Sequence, residues 1–328
     1  MGVEAGIRLV DHDDDGVDRA FRADVLAGLG QRQKAIPARW FYDERGSQLF
    51  EEITALPEYY PTRAETQILG ARGEEIAALT GAGRVVVEFG SGSSAKTPHL
   101  LRAIAPAAYV PIDISGDFLR ASAALLSAEF AGLPVVPVEA DFTRPVPLPR
   151  QFAGQPMLGF FPGSTIGNLV PPSAVDLLRS MRSTLGPGSQ LLIGMDRVKD
   201  PAVLVAAYDD AAGVTAAFNL NLITRINREL DADISPEAFR HCAVWNDALG
   251  RIEMHLEAQH DTTFTVSGRA FTMHAGETIH TENSHKYDPR AAALLLLAGG
   301  WTPLQSWQDD AGLFNLVLAE ASEDRSAP

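Results

Sequence analysis

Val85-Val86-Val87-Glu88-Phe89-Gly90-Ser91-Gly92-Ser93-Ser94-Ala95-Lys96-Thr97 is the stretch that decides the fold. Three β-branched residues run into a turn of small residues, and Pro98 to Ile104 reads as a helix. Strand, glycine turn and helix form the opening unit of a nucleotide-binding α/β sheet. Glycines let the backbone approach a ligand, and amides at the helix start favour a negative group. About 20 residues further on, where such a sheet meets a ribose, Tyr109-Val110-Pro111-Ile112-Asp113 ends a second apolar run in an acid. A carboxylate there can accept both ribose hydroxyls.

Three ligands compete for this turn. A dinucleotide fingerprint wants G-x-G-x-x-G, and a phosphate loop wants G-x-x-x-x-G-K-[ST]. Ala95 breaks both patterns. S-adenosylmethionine carries a ribose and an amino-acid carboxylate but no phosphate, so E-x-G-x-G without a full glycine cradle suits it best. A tight structural turn that binds nothing is the plainer alternative.

The composition narrows the class. The chain has 328 residues, 46% of them hydrophobic, and a net charge of −15. That is enough apolar material for a real core. With Lys and Arg scattered, a nucleic-acid backbone would be repelled, so no nucleic-acid partner is expected. Cys242 is the only cysteine, which excludes an internal disulfide. The start, with Asp11 to Asp15, is acidic and lacks an apolar signal core. No apolar stretch is long enough to span a bilayer. A cytoplasmic monomer with a small-molecule substrate and no membrane partner is expected.

Taken in order, residues 1–15 read as a mobile acidic tail and Asp18 to Leu29 as a helix. Trp40-Phe41-Tyr42-Asp43 and the proline-bounded Leu56-Pro57-Glu58-Tyr59-Tyr60-Pro61 are aromatic, and Glu65 to Leu79 is helical. Strands are expected at 84–89, 108–112, 135–139, 157–161 and 190–195, with helices between them. Glu139-Ala140-Asp141-Phe142 closes the third strand, where an acid and an aromatic could meet an adenine; a turn Asp and a core Phe read equally well. Phe161-Pro162-Gly163-Ser164-Thr165-Ile166-Gly167-Asn168 follows the fourth strand, at the carboxyl ends of the strands where ligands sit. From Asp196 to Ile234 the pattern turns helical, as Pro201 to Ala212 and then Gly213 to Glu229. Arg251 to Ala258 alternates with period two, a half-buried strand. This block interrupts the α/β alternation. It gives a sheet domain at 61–196 plus 286–328 and a second α+β domain at 16–60 plus 197–285. Trp301–Trp307 and Leu313–Leu318 read as a closing antiparallel pair.

Glu282 and Ser284, two apart in an extended segment, share one face. A carboxylate and a hydroxyl can hold both nitrogens of an imidazole, although a polar surface loop explains this segment alone as well. Met254 sits on the apolar face of its strand, by default in the core. His255 with His260, and His280 with His285, are five apart with no third ligand in view, so no metal is expected. No G-x-S-x-G occurs for a Ser-His-Asp hydrolase.

Glu88-Phe89-Gly90-Ser91-Gly92-Ser93, Phe161 to Asn168, Ala207-Tyr208-Asp209-Asp210 through Phe218-Asn219, Arg251-Ile252-Glu253-Met254 and Thr281-Glu282-Asn283-Ser284 together resemble the L-histidine N-alpha-methyltransferases of ergothioneine biosynthesis. The resemblance runs from about Pro37 to the C-terminus. It implies an α/β fold: a Rossmann-like class I methyltransferase sheet with a second, substrate-binding α+β domain. It also implies S-adenosylmethionine-dependent trimethylation of the α-amino group of free histidine, giving hercynine. Position by position, it implies that Gly90, Lys96, Asp113, Asp141 and Phe142 bind S-adenosylmethionine. Tyr59, Asn168 and Tyr208 would hold the amino and carboxylate groups of histidine, with Tyr59 and Asn168 aligning the amine for transfer. Glu282 and Ser284 would grip the imidazole beside Met254, and Tyr42, Phe50 and Gly163 would line the pocket. Two positions depart from the family pattern, Ala95 and His285. Rival classes are a same-fold methyltransferase of another amino acid or small amine, a phosphate-loop enzyme, and a non-catalytic S-adenosylmethionine sensor.

Overall fold

The computed structural model describes residues 18–92 and 96–322; the tail read at 1–15 and the departure at Ala95 lie outside the described residues. The chain divides into two compact units. One takes in the chain up to Tyr60 together with Lys199–Ser284, and the other takes in Pro61–Val198 together with the chain from His285 onward.

In the first unit, numbered in chain order, are α1 (Arg19–Leu29), β1 (Lys34–Ala35), α2 (Glu44–Thr54), α7 (Pro201–Ala206), α8 (Val214–Glu229), β7 (Phe239–Asn246), β8 (Arg251–Ala258), β9 (Thr262–Val266), β10 (Arg269–Met273) and β11 (Thr278–His285). The second unit holds α3 (Tyr60–Thr80), β2 (Val85–Phe89), α4 (Thr97–Ile104), β3 (Ala108–Asp113), α5 (Gly116–Glu129), β4 (Val138–Glu139), β5 (Met157–Phe161), α6 (Pro171–Leu185), β6 (Gln190–Asp196), α9 (Pro289–Ala298), β12 (Trp301–Gln308) and β13 (Phe314–Ala321).

The sheet of the second unit has the order β12-β13-β6-β5-β2-β3-β4, with β13 antiparallel to β6 and to β12. β2 sits near its middle, buried along its whole length, which is why its sequence reads as an unbroken apolar run. Alternation along β2 divides two cores. Val85, Val87 and Phe89 face a cluster with Leu177, Leu178 and Met181 of α6 and Leu296 of α9. Val86 faces a cluster with Ile68 and Leu69 of α3 and Leu100 and Ile104 of α4. The expected third strand at 135–139 shrinks to Val138–Glu139 plus one bridge from Val135 to Tyr109. Pro134 and Pro137 lack the N–H groups a longer ladder needs.

Glu88 is the exception in that apolar strand. Its buried carboxylate accepts the Thr97 hydroxyl at 2.6 Å and the Tyr109 hydroxyl at 2.5 Å, tying β2 to α4 and β3. Burial pushes its pKa from 4.5 up to about 7, against those hydrogen bonds. Between these two values the folded chain holds this proton more tightly than the unfolded chain. Stability therefore falls as pH rises through that window, by at most about 3 kcal/mol at ~1.4 kcal/mol per unit. Glu88→Gln is expected to remove this slope. Denaturant unfolding at pH 5 and pH 8 checks it: equal slopes in the two proteins would refute the assignment.

In the first unit, β1-β11-β8-β7 form a four-stranded sheet and β9 pairs with β10. β8 alternates as its sequence expects: Ile252, Met254, Leu256 and Ala258 are buried, and the residues between them half-buried. The helix expected to run to Ala212 stops at Ala206. Asp210 instead accepts the backbone N–H groups of Val214 (3.0 Å) and Thr215 (2.7 Å), spending its carboxylate on starting α8. β1 and β7 have no counterpart in the sequence reading, because neither carries a clean two-residue alternation. Among the described residues, no helix is long and apolar enough to cross a membrane.

Candidate active site

The first group of site residues lies at the carboxyl ends of the strands in the sheet unit. Gly90 has φ +70°, a region that side chains disfavour, and a Cβ there would stand 3.2 Å from the Phe142 ring. The Gly90 and Ser91 amides donate to the Ile112 carbonyl at 2.8 and 3.2 Å, folding the turn back on β3. Asp113, the last residue of β3, accepts the Gly92 amide on Oδ2 (3.1 Å) and the Ser115 amide on Oδ1 (2.9 Å). Each oxygen is thus oriented by one amide and keeps further acceptor capacity. Asp141 is half-buried and accepts the Thr143 amide and hydroxyl at 2.9 and 2.6 Å, a local turn. Phe142 packs edge-on against Phe89 and Phe161, at 6.3 and 6.1 Å between centroids.

Glu65 of α3 was not singled out by sequence, yet it joins three parts of this end of the sheet. Its side chain is completely buried. Oε2 pairs with Lys96 Nζ at 2.5 Å and accepts the Gly163 amide at 2.9 Å. Oε1 points at the backbone of β6, where any Cβ on Gly194 would come within 2.2 Å of it. Gly163 leads into a short 3-10 turn, Thr165–Asn168, that begins from Ser164 in the left-handed region and presents Asn168 half-buried.

The second group is a pocket in the other unit, lined by Phe50 and Ile53 of α2, Tyr59, Ala207, Tyr208, Thr215 and Phe218 of α8, Met254 of β8 and Glu282 of β11. Its aromatic wall is continuous. Phe50 lies 6.3 Å from Tyr59 and 6.1 Å from Phe218, and Tyr59 lies 6.4 Å from Tyr208. Tyr42 stands against Phe50 and Phe218 at 5.7 and 5.8 Å and is the exposed member. Ser284 is buried, and its hydroxyl is 2.7 Å from the Tyr208 hydroxyl. Tyr208 is also held through its backbone. Asn219 Nδ2 donates to His241 Nδ1 (2.9 Å), so Nε2 carries the ring proton and donates to the Tyr208 carbonyl (2.7 Å). Burial lowers the His241 pKa and keeps the ring neutral in that role. In a larger, open depression lined by Asp43, Glu44, Arg45, Gln48 and Arg228, Arg228 is paired with Asp43 and Arg45 with Glu52.

Tyr59, Tyr208, Met254, Glu282 and Phe50 therefore line one pocket, with Tyr42 and Ser284 bonded or packed to its walls. Gly90, Lys96, Asp113, Asp141, Phe142, Gly163 and Asn168 belong to the sheet unit. Sequence reasoning missed Phe218 and Thr215, which sit in a helical apolar repeat that reads as core.

Comparison with known proteins gives the chemistry. Residues 21–321 match the model of a histidine-specific, S-adenosylmethionine-dependent methyltransferase family. The chain is 44% identical over 307 residues to a histidine N-alpha-methyltransferase of Mycobacterium tuberculosis, covering 92% of this chain and 94% of that one. It is equally identical over 312 residues to a histidine N-alpha-methyltransferase of Mycolicibacterium smegmatis, covering 93% and 96%. A 4-dimethylallyltryptophan N-methyltransferase of Epichloe festucae var. lolii is 27% identical over 346 residues, covering 95% and 98%. With the strand order of the sheet and a family match over nearly the whole chain, this protein belongs to the histidine-specific, S-adenosylmethionine-dependent methyltransferases.

Proposed function

We propose that this chain transfers three methyl groups to the α-amino nitrogen of free L-histidine, making hercynine, as a cytoplasmic monomer. The observation that carries the reading is the pocket itself: one carboxylate, Glu282, set in a wall of aromatic and apolar side chains, in a chain of this family. A carboxylate in such a wall suits an imidazole, whose N–H it can accept. Aromatic faces suit an amine that becomes a trimethylammonium, because ring faces attract quaternary cations.

The donor set of the sheet unit fits S-adenosylmethionine. Asp113 has an oriented carboxylate for a ribose diol, Gly90 offers a turn with no side chain, and Lys96 supplies a cation for a carboxylate. In this reading Asp141 and Phe142 serve the adenine. When bound, the cofactor would supply an electrophilic methyl on a sulfonium, with a neutral thioether as the leaving group. No acid is then needed; the nitrogen instead gives up one proton to solvent before each transfer, three in all, and the chain's work is to bind, orient and desolvate. Well-aligned reactants gain on the order of 7–11 kcal/mol from such positioning. We assign Tyr59 and Asn168 to the amino group and Tyr208 to the substrate backbone. A neutral amide and a phenol can follow an amine from primary to tertiary without trapping it as an ammonium.

The test incubates the purified protein with S-adenosylmethionine and an equimolar mixture of free amino acids, read by mass spectrometry. Trimethylated histidine as the sole product is the expected result. A different methylated amino acid would overturn the substrate, and bound cofactor without product would overturn catalysis. Two variants sharpen the assignment. Asn168→Ala is expected to lose at least tenfold in turnover and to release mono- and dimethylated histidine; full turnover with an unchanged product ratio refutes its role. Glu65→Ala leaves Lys96 without its partner and Gly163 without its acceptor. It is expected to weaken S-adenosylmethionine binding at least tenfold in calorimetry, and an unchanged affinity would separate Glu65 from the cofactor site.

A further inference from the structure

One side-chain cluster in the first unit takes no part in the reaction just proposed. It lies on the half-buried face of the β1-β11-β8-β7 sheet, the face opposite Ile252, Met254 and Leu256. Glu253 and His255 come from β8 and His280 from β11. The pairs five apart along the chain are not the ones that meet. Instead the His255 and His280 rings stack, with centroids 4.8 Å apart and planes 21° apart. One donor atom from each of Glu253, His255 and His280 lies within 4.8 Å of the other two. His255 Nε2 stands 3.3 Å from Glu253 Oε2.

These distances suit a small cation. A tetrahedral ion with bonds near 2.0–2.1 Å sets its donors about 3.3 Å apart. The Glu253–His255 edge already has that length; the others must close by up to ~1.5 Å, and the stacked rings must turn so that their in-plane lone pairs converge. The surrounding hydrogen bonds are also those of a ligand set. Glu253 Oε1 is taken by Arg251 Nε (2.7 Å) and Asn246 Nδ2 (3.0 Å), which leaves Oε2 on the imidazole side. His280 Nε2 donates to the Glu282 carbonyl at 2.9 Å, so its Nδ1 keeps a lone pair. Metal-binding histidines commonly tie their second ring nitrogen to a carbonyl in this way.

We propose that Glu253, His255 and His280 form a binding site for one divalent transition-metal ion of the zinc class. Two imidazoles and a carboxylate are donors that zinc accepts with a fourth position open. Magnesium and calcium prefer all-oxygen cages and are poorly served here. Arg251, bonded to the same carboxylate, opposes the ion's charge and tempers the affinity. None of its three ligands lines the aromatic pocket, although His280 is bonded to the Glu282 carbonyl and Met254 lies between Glu253 and His255 on β8.

The experiment uses the untagged full chain after chelator treatment. Cobalt(II) is titrated by visible absorption, and zinc(II) by competition with a chromophoric chelator. One ion per chain is expected, with cobalt bands of low-coordinate intensity. His255→Ala and His280→Ala should each lose at least tenfold in affinity. Arg251→Gln should gain several-fold, a change that misfolding cannot imitate. His274→Ala, which breaks the exposed His274–Asp261 pair, should change nothing. Absence of saturable binding to the wild-type chain overturns the proposal. So does binding that survives loss of both imidazoles, or that vanishes with His274.

Discussion

Glu282→Ala is expected to raise the KM for histidine by ten- to a hundredfold while leaving S-adenosylmethionine affinity unchanged. Glu282 is the one acid lining a pocket otherwise made of Phe50, Ile53, Tyr59, Phe218, Met254 and similar groups. A hydrogen bond to a charged group contributes about 1.5–3 kcal/mol. That range corresponds to roughly ten- to 150-fold in affinity. Removing the carboxylate leaves a wall that no longer distinguishes an imidazole from an apolar ring. Preference should therefore relax toward tryptophan and phenylalanine. Glu282→Gln keeps an acceptor without the charge and should fall between the two. Steady-state kinetics with histidine, and competition by tryptophan, check both parts. An unchanged histidine preference in Glu282→Ala would move recognition of the ring to another group.

What the sequence makes legible here is local, and what it hides is long-range. β2 and its glycine turn are readable because an unbroken apolar run followed by small residues is a contiguous signal. β8 is readable because its burial alternates residue by residue. Glu65 is not, because on α3 it looks like one more charge in a helix; only folding shows that it is buried against Lys96 and Gly163. Phe218 and Thr215 are hidden for the opposite reason, since their helical spacing satisfies the core pattern. The stacked His255 and His280 depend on β8 lying beside β11, which no spacing along the chain encodes. Pocket residues drawn from conspicuous aromatic or polar motifs, such as Tyr59, Tyr208 and Glu282, were within reach of the sequence. Those that act through a neighbour were not.

Lys286 and Asp196 give the largest expected effect on stability. Their side chains are 0% and 1% exposed, and Nζ lies 2.8 Å from Oδ2. Asp196 ends β6 and does more than neutralise a charge. Its N–H donates to the Ser164 hydroxyl at 2.8 Å, its carbonyl accepts the Tyr287 N–H at 2.8 Å, and Oδ1 accepts the Arg197 N–H at 2.8 Å. The pair thus sits where the loop carrying Gly163 and Asn168 meets the chain that follows β11. Asp196→Asn keeps the shape but leaves an ammonium buried opposite a neutral amide. Breaking a buried pair in this way costs about 3–5 kcal/mol, a large part of the roughly 5–15 kcal/mol that holds a domain folded. The double variant Asp196→Asn with Lys286→Met removes the buried ammonium as well, because an apolar side chain of similar length replaces the lysine. It should be more stable than Asp196→Asn alone, so that the second substitution rescues the first. Denaturant unfolding of the wild type, both singles and the double measures that coupling directly. If Asp196→Asn is no less stable than the wild type, Lys286 does not depend on this carboxylate. If the double is less stable than Asp196→Asn, the lysine contributes through packing and not through the pair. A double variant at least as stable as the wild type would mean that the buried charges are kept at a cost, in exchange for fixing the end of β6 against Ser164, from which the Asn168 loop departs.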